Sequence, residues 1–127
     1  MSDTVTHDIR IQVESEYIPH QSDPRRGYYF FIYHVTIHNQ GQQVVQLKSR
    51  HWIITDGHGH VQEVKGPGVV GHQPVLRPGE QFRYTSSCPL PTQIGSMQGS
   101  FQFVTREGDR FDGLISPFTL ADPLAFN

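Results

Sequence analysis

Residues 66–74 read GPGVVGHQP, so Gly66, Gly68 and Gly71 fall at the spacing GxGxxG. In a dinucleotide site such glycines turn a strand into a helix whose first amides meet a pyrophosphate. That chemistry needs the helix. Pro74 and Pro78 follow closely, and Val69, Val70 and Val75 favour extended chain, so no helix is expected after Gly71. No alternation of strand and helix surrounds the motif either. The segment is therefore expected to join two strands, and nucleotide binding is not expected. The alternative is an anion held by a nest of backbone amides at Gly66, Gly68 and Gly71, assisted by Lys65, His72 and Arg77.

Histidine is the next residue type with chemistry to offer, at eight copies. His58 and His60 are two apart and would share one face of a strand, with His51 opposite across a hairpin and His72 in the glycine segment. Imidazoles suit zinc, nickel or cobalt when three or four converge at about 2.0–2.1 Å. No carboxylate or thiolate has ligand spacing beside them, so neither a metal nor any other cofactor is expected; a divalent cation on His58 and His60 is the alternative. Cys88 sits in SSCPLP, with no nucleophile elbow or helix start to lower its pKa. Glu63, Glu80, Glu107, Asp109 and Asp112 fall mostly at turns, where solvation explains them. No catalytic constellation emerges, and the chain is not expected to be an enzyme.

These residues must be held by strands. Ile9, Ile11 and Val13 alternate with Arg10 and Gln12. In residues 28–38, Tyr29, Phe31, Tyr33, Val35 and Ile37 share a face, which predicts a long central strand buried on both faces at its start. Between residues 44 and 55 the apolar phase changes, from Val45 and Leu47 to Trp52 and Ile54. A bulge near Ser49 to His51 would restore one face and could re-aim Arg50. Asp56-Gly57 predicts a hairpin returning through His60 to Val64. Further strands are expected around Phe82 to Thr85, at Phe101 and Phe103, and from Phe111 to Phe118. Residues 66–79 and 89–99 are expected to be irregular. About seven antiparallel strands and no helix predict a single all-β domain with two packed sheets, a closed barrel being the second choice. The expected inner layer holds Ile11, Val13, Phe31, Tyr33, Val35, Trp52, Ile54, Phe82, Tyr84, Phe101 and Phe103.

Charge and composition narrow the partners. Ten Lys and Arg stand against twelve Asp and Glu, for a net charge of −2, which excludes a generally basic nucleic-acid binder. One cysteine allows no internal disulfide, and the first ten residues lack an apolar stretch. A cytoplasmic protein without a membrane role is expected. Arg25 and Arg26 stand beside Tyr28 and Tyr29, residue types favoured in protein contacts, while Arg106 and Arg110 flank a turn.

GPGVVGHQPVLRPGEQF, followed by Tyr84, Ser86, Leu90, Gly95, Met97, Gly99 and Phe101, resembles the ApaG family, and SRHWIITDGHG at residues 49–59 fits it too. The resemblance runs from about Asp8 to Phe118 within the single domain 1–127. It implies a fibronectin type III-like, immunoglobulin-like sandwich in a small bacterial cytoplasmic protein. Related domains at the end of a polymerase-delta-interacting protein and in F-box proteins serve in protein interaction. The family's genetic setting, beside a diadenosine tetraphosphatase and with links to cobalt resistance and magnesium efflux, supplies the small-ligand alternative. No catalytic residue is established in the family, so none carries over. The expectation is a protein-interaction module with an unnamed protein partner. Its contact surface is placed at Val69, Val70 and His72, and more weakly at Arg25 and Arg26.

Overall fold

Alternating apolar residues build nine strands in the computed structural model, which describes residues 1–126. They are β1 Ser2–Thr6, β2 Ile9–Tyr17, β3 Tyr29–Asn39, β4 Val45–Asp56, β5 Val61–Pro67, β6 Val75–Leu76, β7 Gln81–Leu90, β8 Ile94–Thr105 and β9 Arg110–Ala121. One sheet has the order β1-β2-β3-β7. The other has the order β5-β4-β8-β9, with β6 paired to the start of β4. Every pairing is antiparallel. The sheets stack as a sandwich of the fibronectin type III kind rather than closing into a barrel.

All eleven residues expected inside face the core. Ile54, Phe82 and Tyr84 are half-buried against it and the other eight are buried. Trp52 is its aromatic centre, meeting Tyr33, Phe101 and Phe118 edge-on at 5.2, 6.0 and 6.1 Å between ring centres. The outer side of β3 departs from expectation: Phe30 and Ile32 are only half-buried, because no layer covers that face.

Three stretches pair where the sequence predicts none. Ser2–Thr6 is a strand, joined to β2 by a turn in which His7 and Asp8 take φ of 49° and 63°. Residues 94–99, expected to be irregular, form half of β8, and their register slips between Met97 and Gly99, opposite Pro117 on β9. Glycine in a strand reads as a break, yet here it admits close backbone: a Cβ on Gly99 would collide with the His51 carbonyl. Within 66–79, β5 continues to Pro67, and Val75–Leu76 pairs with β4. Pairing thus runs from Ser2 to Ala121, beyond the expected span of about 8–118.

The two long seams of the sandwich are finished differently. Where β9 meets β1 and β2, hydroxyls bridge the sheets. Ser2 and Ser116 share a 2.6 Å hydrogen bond, Ser15 donates to the Thr119 carbonyl at 2.8 Å, and the Leu114 amide donates to Thr6 at 3.3 Å. Thr4 donates to the Leu114 carbonyl. Side chains thereby satisfy part of an edge that would otherwise invite another strand. The seam between β5 and β7 has the glycine segment instead.

Asn39 ties that region together from the end of β3. Its buried amide donates to the carbonyls of Gln43 at 2.7 Å and Leu76 at 3.0 Å, and its side-chain oxygen accepts the Gly41 amide at 2.9 Å. Its backbone bonds Glu80 and Gly79. Asn39→Ala removes three side-chain hydrogen bonds, that to the Leu76 carbonyl fully buried and the other two part-buried, and should destabilise the fold by about 2–3 kcal/mol, measured by urea unfolding.

Candidate functional site

The glycine segment is a hairpin, and its amides are used internally. The Gly68 amide donates to the Lys48 carbonyl at 2.9 Å, and Val69 and His72 exchange amide-to-carbonyl bonds of 2.8 and 2.9 Å. Val70 and Gly71 form the two-residue turn between them, at φ of 43° and 82°. This pattern is the primed turn that suits a right-twisted hairpin and normally carries Asn-Gly. No helix follows Gly71. The Gly68 and Val69 amides of the motif, and that of His72 just after it, are committed to carbonyls rather than turned together toward a phosphate.

Each glycine meets a different structural demand. Gly68 (φ +62°) lies where a Cβ would run into the His72 carbonyl. Gly71 has open space around it and needs only its left-handed backbone. At Gly66 a Cβ would stand 3.0 Å from both terminal nitrogens of Arg50. Bare backbone at this position lets the guanidinium lie against the strand. Gly68→Ala should therefore cost at least ~2 kcal/mol, combining left-handed strain with the collision, whereas Gly71→Ala should cost ~1 kcal/mol; thermal or urea unfolding separates them.

Beneath the hairpin, Arg50 is half-buried on the inner side of β4. Its Nη1 donates to the carbonyls of Pro67 at 2.9 Å and Gly68 at 3.0 Å. Among the described residues no carboxylate lies within ion-pair distance of it. Its charge acts on Tyr33 and Tyr84 across the gap between the sheets. Burial outweighs that charge and pushes both phenols up, Tyr84 the further, so both stay protonated at neutral pH. The Tyr84 hydroxyl and the Trp52 indole N–H are buried without a hydrogen-bond partner among the described residues. Sequence reasoning noted Arg50 only as re-aimed by a bulge and placed Trp52 and Tyr84 solely in the core.

The proposed contact residues separate. Val69 is buried at 1% exposure, so it cannot serve as a surface contact; its neighbours turn away at the hairpin while its side chain fills the mouth of the core. Val70 is 51% exposed. His72 is exposed beside the Phe82 ring, 5.8 Å between centres. Arg25 and Arg26 occupy a short turn, Pro24–Arg26, with Arg26 against Asp23 at 3.5 Å. That turn lies beside Pro91, past the far end of β7 from Phe82, on the order of 25 Å along the strand. It shares no surface with the hairpin.

The histidines are dispersed. His58 and His60 sit at the β4–β5 turn with ring centres 6.2 Å apart, and the Asp56 carboxylate accepts their backbone amides at 2.8 and 3.1 Å. His51 is not opposite them: it pairs with Lys65, and its ring meets Glu63 at 3.1 Å. Among the described residues no three metal-ligating side chains come together. A cleft of about 530 Å³ that sequence reasoning did not anticipate opens at the end of the sandwich, lined by Asp109, Arg110 and the tilted ring pair of His7 and Phe111, 4.7 Å between centres. Its walls come from three separate turns, which no spacing motif links.

Cys88 is buried, and desolvation pushes its thiol up to about 11. A thiol above its ordinary range is a poor nucleophile at pH 8. Aromatic-disulfide labelling at that pH should be slow in the native protein and immediate in denaturant, with native labelling tracking unfolding.

The ApaG domain model matches residues 19–105, which include the hairpin, Arg50, Trp52 and Tyr84. The chain belongs to the ApaG family. It is 54% identical to Protein ApaG of Azotobacter vinelandii over 121 residues, covering 95% of this chain and 96% of that one. It is 51% identical to Protein ApaG of Acidithiobacillus ferrooxidans over the full length of both. A crystal structure of a Bordetella pertussis protein described as ApaA superposes with a TM-score of 0.89 at 52% identity, covering 91% of this chain and 94% of that one. The matched ApaG segment runs from before β3 through β8 and takes in the whole hairpin.

Proposed function

We propose that this ApaG-family chain is a non-enzymatic protein-interaction module of the bacterial cytoplasm and that its primary contact is the hairpin tip at Val70. The observation carrying this reading is Val70 itself. A β-branched residue at φ 43° is strained by roughly 1–2 kcal/mol, and this one also holds an apolar side chain in water at 51% exposure. Asn would suit the turn and the solvent better. Strain of this kind concentrates where a site needs a particular side chain in a particular place. His72 closes the same turn with its imidazole exposed, which adds a polar neighbour. Rigid sheets beneath a projecting loop are a common way to present a contact.

Val70→Asn tests the reading without unfolding the protein. The variant should gain about 1 kcal/mol of stability while losing partner recovery in affinity capture from cell extract. Unchanged recovery with the stabilised variant would remove the tip from the contact.

A further inference from the structure

We propose that Arg50, Trp52 and Tyr84 form a binding site for one carboxylate group, entered at the seam between β5 and β7 beneath the 66–73 hairpin. All three side chains project from their strands toward the space between the sheets, and the Trp52 and Tyr84 donors have no partner there among the described residues. Arg50 and Trp52 are two apart on the inner side of β4, and Arg50 sits opposite Phe101 in the register, on which the Trp52 and Tyr84 rings both pack. Tyr84 faces them from β7 in the other sheet. Buried polar groups are nearly always paired, so two orphaned donors beside an uncompensated cation require an explanation.

Arg50 selects the ligand's chemistry. Its hydrogen bonds to Pro67 and Gly68 both leave from Nη1. The opposite edge, Nε with Nη2, is the planar fork that matches the two oxygens of a carboxylate. A neutral phenol and an indole N–H add donors that accommodate an anion without adding charge. The half-exposed guanidinium stands at the entrance, and the indole lies deeper. The carboxylate can be a free small acid or the side chain of an acidic residue on a partner. The site stands or falls independently of the Val70 contact, and Val70→Asn should leave it intact.

Trp52 is the only tryptophan, so its indole N–H gives one unambiguous resonance in a ¹H–¹⁵N spectrum of the full chain. Sodium acetate should move that resonance to saturation, and sodium chloride at equal ionic strength should not. A blocked Gly-Asp-Gly peptide forms the second arm. Saturation by acetate assigns a free carboxylate, and saturation by the peptide alone assigns one carried on a chain. Arg50→Gln should weaken binding by about tenfold or more, the loss of a charge-assisted hydrogen bond. Tyr84→Phe keeps the ring on Phe101 and should weaken it severalfold, which serves as the test if Arg50→Gln does not fold. An indole resonance that moves with neither probe, moves equally in chloride, or titrates unchanged in the folded variants overturns the site.

Discussion

One extra residue in β4 decides what the rest of the sandwich can do. The pairing of β4 with β8 slips between Leu47 and Ser49, so Lys48 has no partner in the ladder. Without that bulge, the face that begins with Val45 and Leu47 would continue through Ser49, His51 and Ile53. With it, Arg50, Trp52 and Ile54 turn inward, and Trp52 becomes the centre of the core. The bulge also frees the Lys48 carbonyl, which accepts the Gly68 amide at 2.9 Å and the Gln73 side chain at 2.8 Å. A single slip therefore places an arginine between the sheets and anchors the hairpin above it.

The hairpin in turn settles the seam between β5 and β7. At the opposite seam, short hydroxyl side chains tie β9 directly to β1 and β2. On the β5 side, among the described residues, no hydroxyl bridges the sheets in this way; the chain leaves β5 at Pro67, folds Val69 into the core and returns through Pro74, whose carbonyl accepts the Leu47 amide at 3.0 Å. Burying a valine contributes about 1.5–3 kcal/mol, enough to offset the strain at its neighbour Val70. The loop is held from below by an apolar side chain and from the side by backbone bonds, so its tip stays projected. A tip supported in this way can carry an unfavourable residue that a loose loop would relax away from.

The period-two face of β3 and the phase change in β4 were legible because alternation reports burial directly, and they placed the core correctly from Ile11 to Phe103. The bulge was legible to within a residue or two, since only one slip reconciles Leu47 with Trp52. The first half of β8 was not. Ile94 to Gly99 is poor in β-branched residues and holds two glycines, and its pairing is set by close approach to β4, a tertiary fact with no local signature. Spacing also misled at GxGxxG, where the same glycines meet three different demands: room for a guanidinium, room for a carbonyl and a left-handed turn. Val69 and Val70 are adjacent and chemically identical, and only the turn geometry sends one inward and the other into solvent.

Local rules fail together in this molecule rather than at scattered points. Val70 is the one β-branched residue with positive φ among the described residues, and Arg50, Trp52 and Tyr84 supply a cation without an anion and two buried donors without acceptors. Val70 and Arg50 belong to the hairpin and the strand it anchors to, while Tyr84 and Trp52 lie inward of them, packed on Phe101. Among the described residues the other buried side-chain polar atoms are paired, as at Asn39, and positive φ elsewhere falls on glycine or on the turn residues His7 and Asp8. Random imperfection would spread such costs over the fold. Their clustering along one line, from the hairpin tip through Arg50 to the Trp52 and Tyr84 rings on Phe101, is the pattern expected when a region is shaped for a ligand or partner rather than for stability.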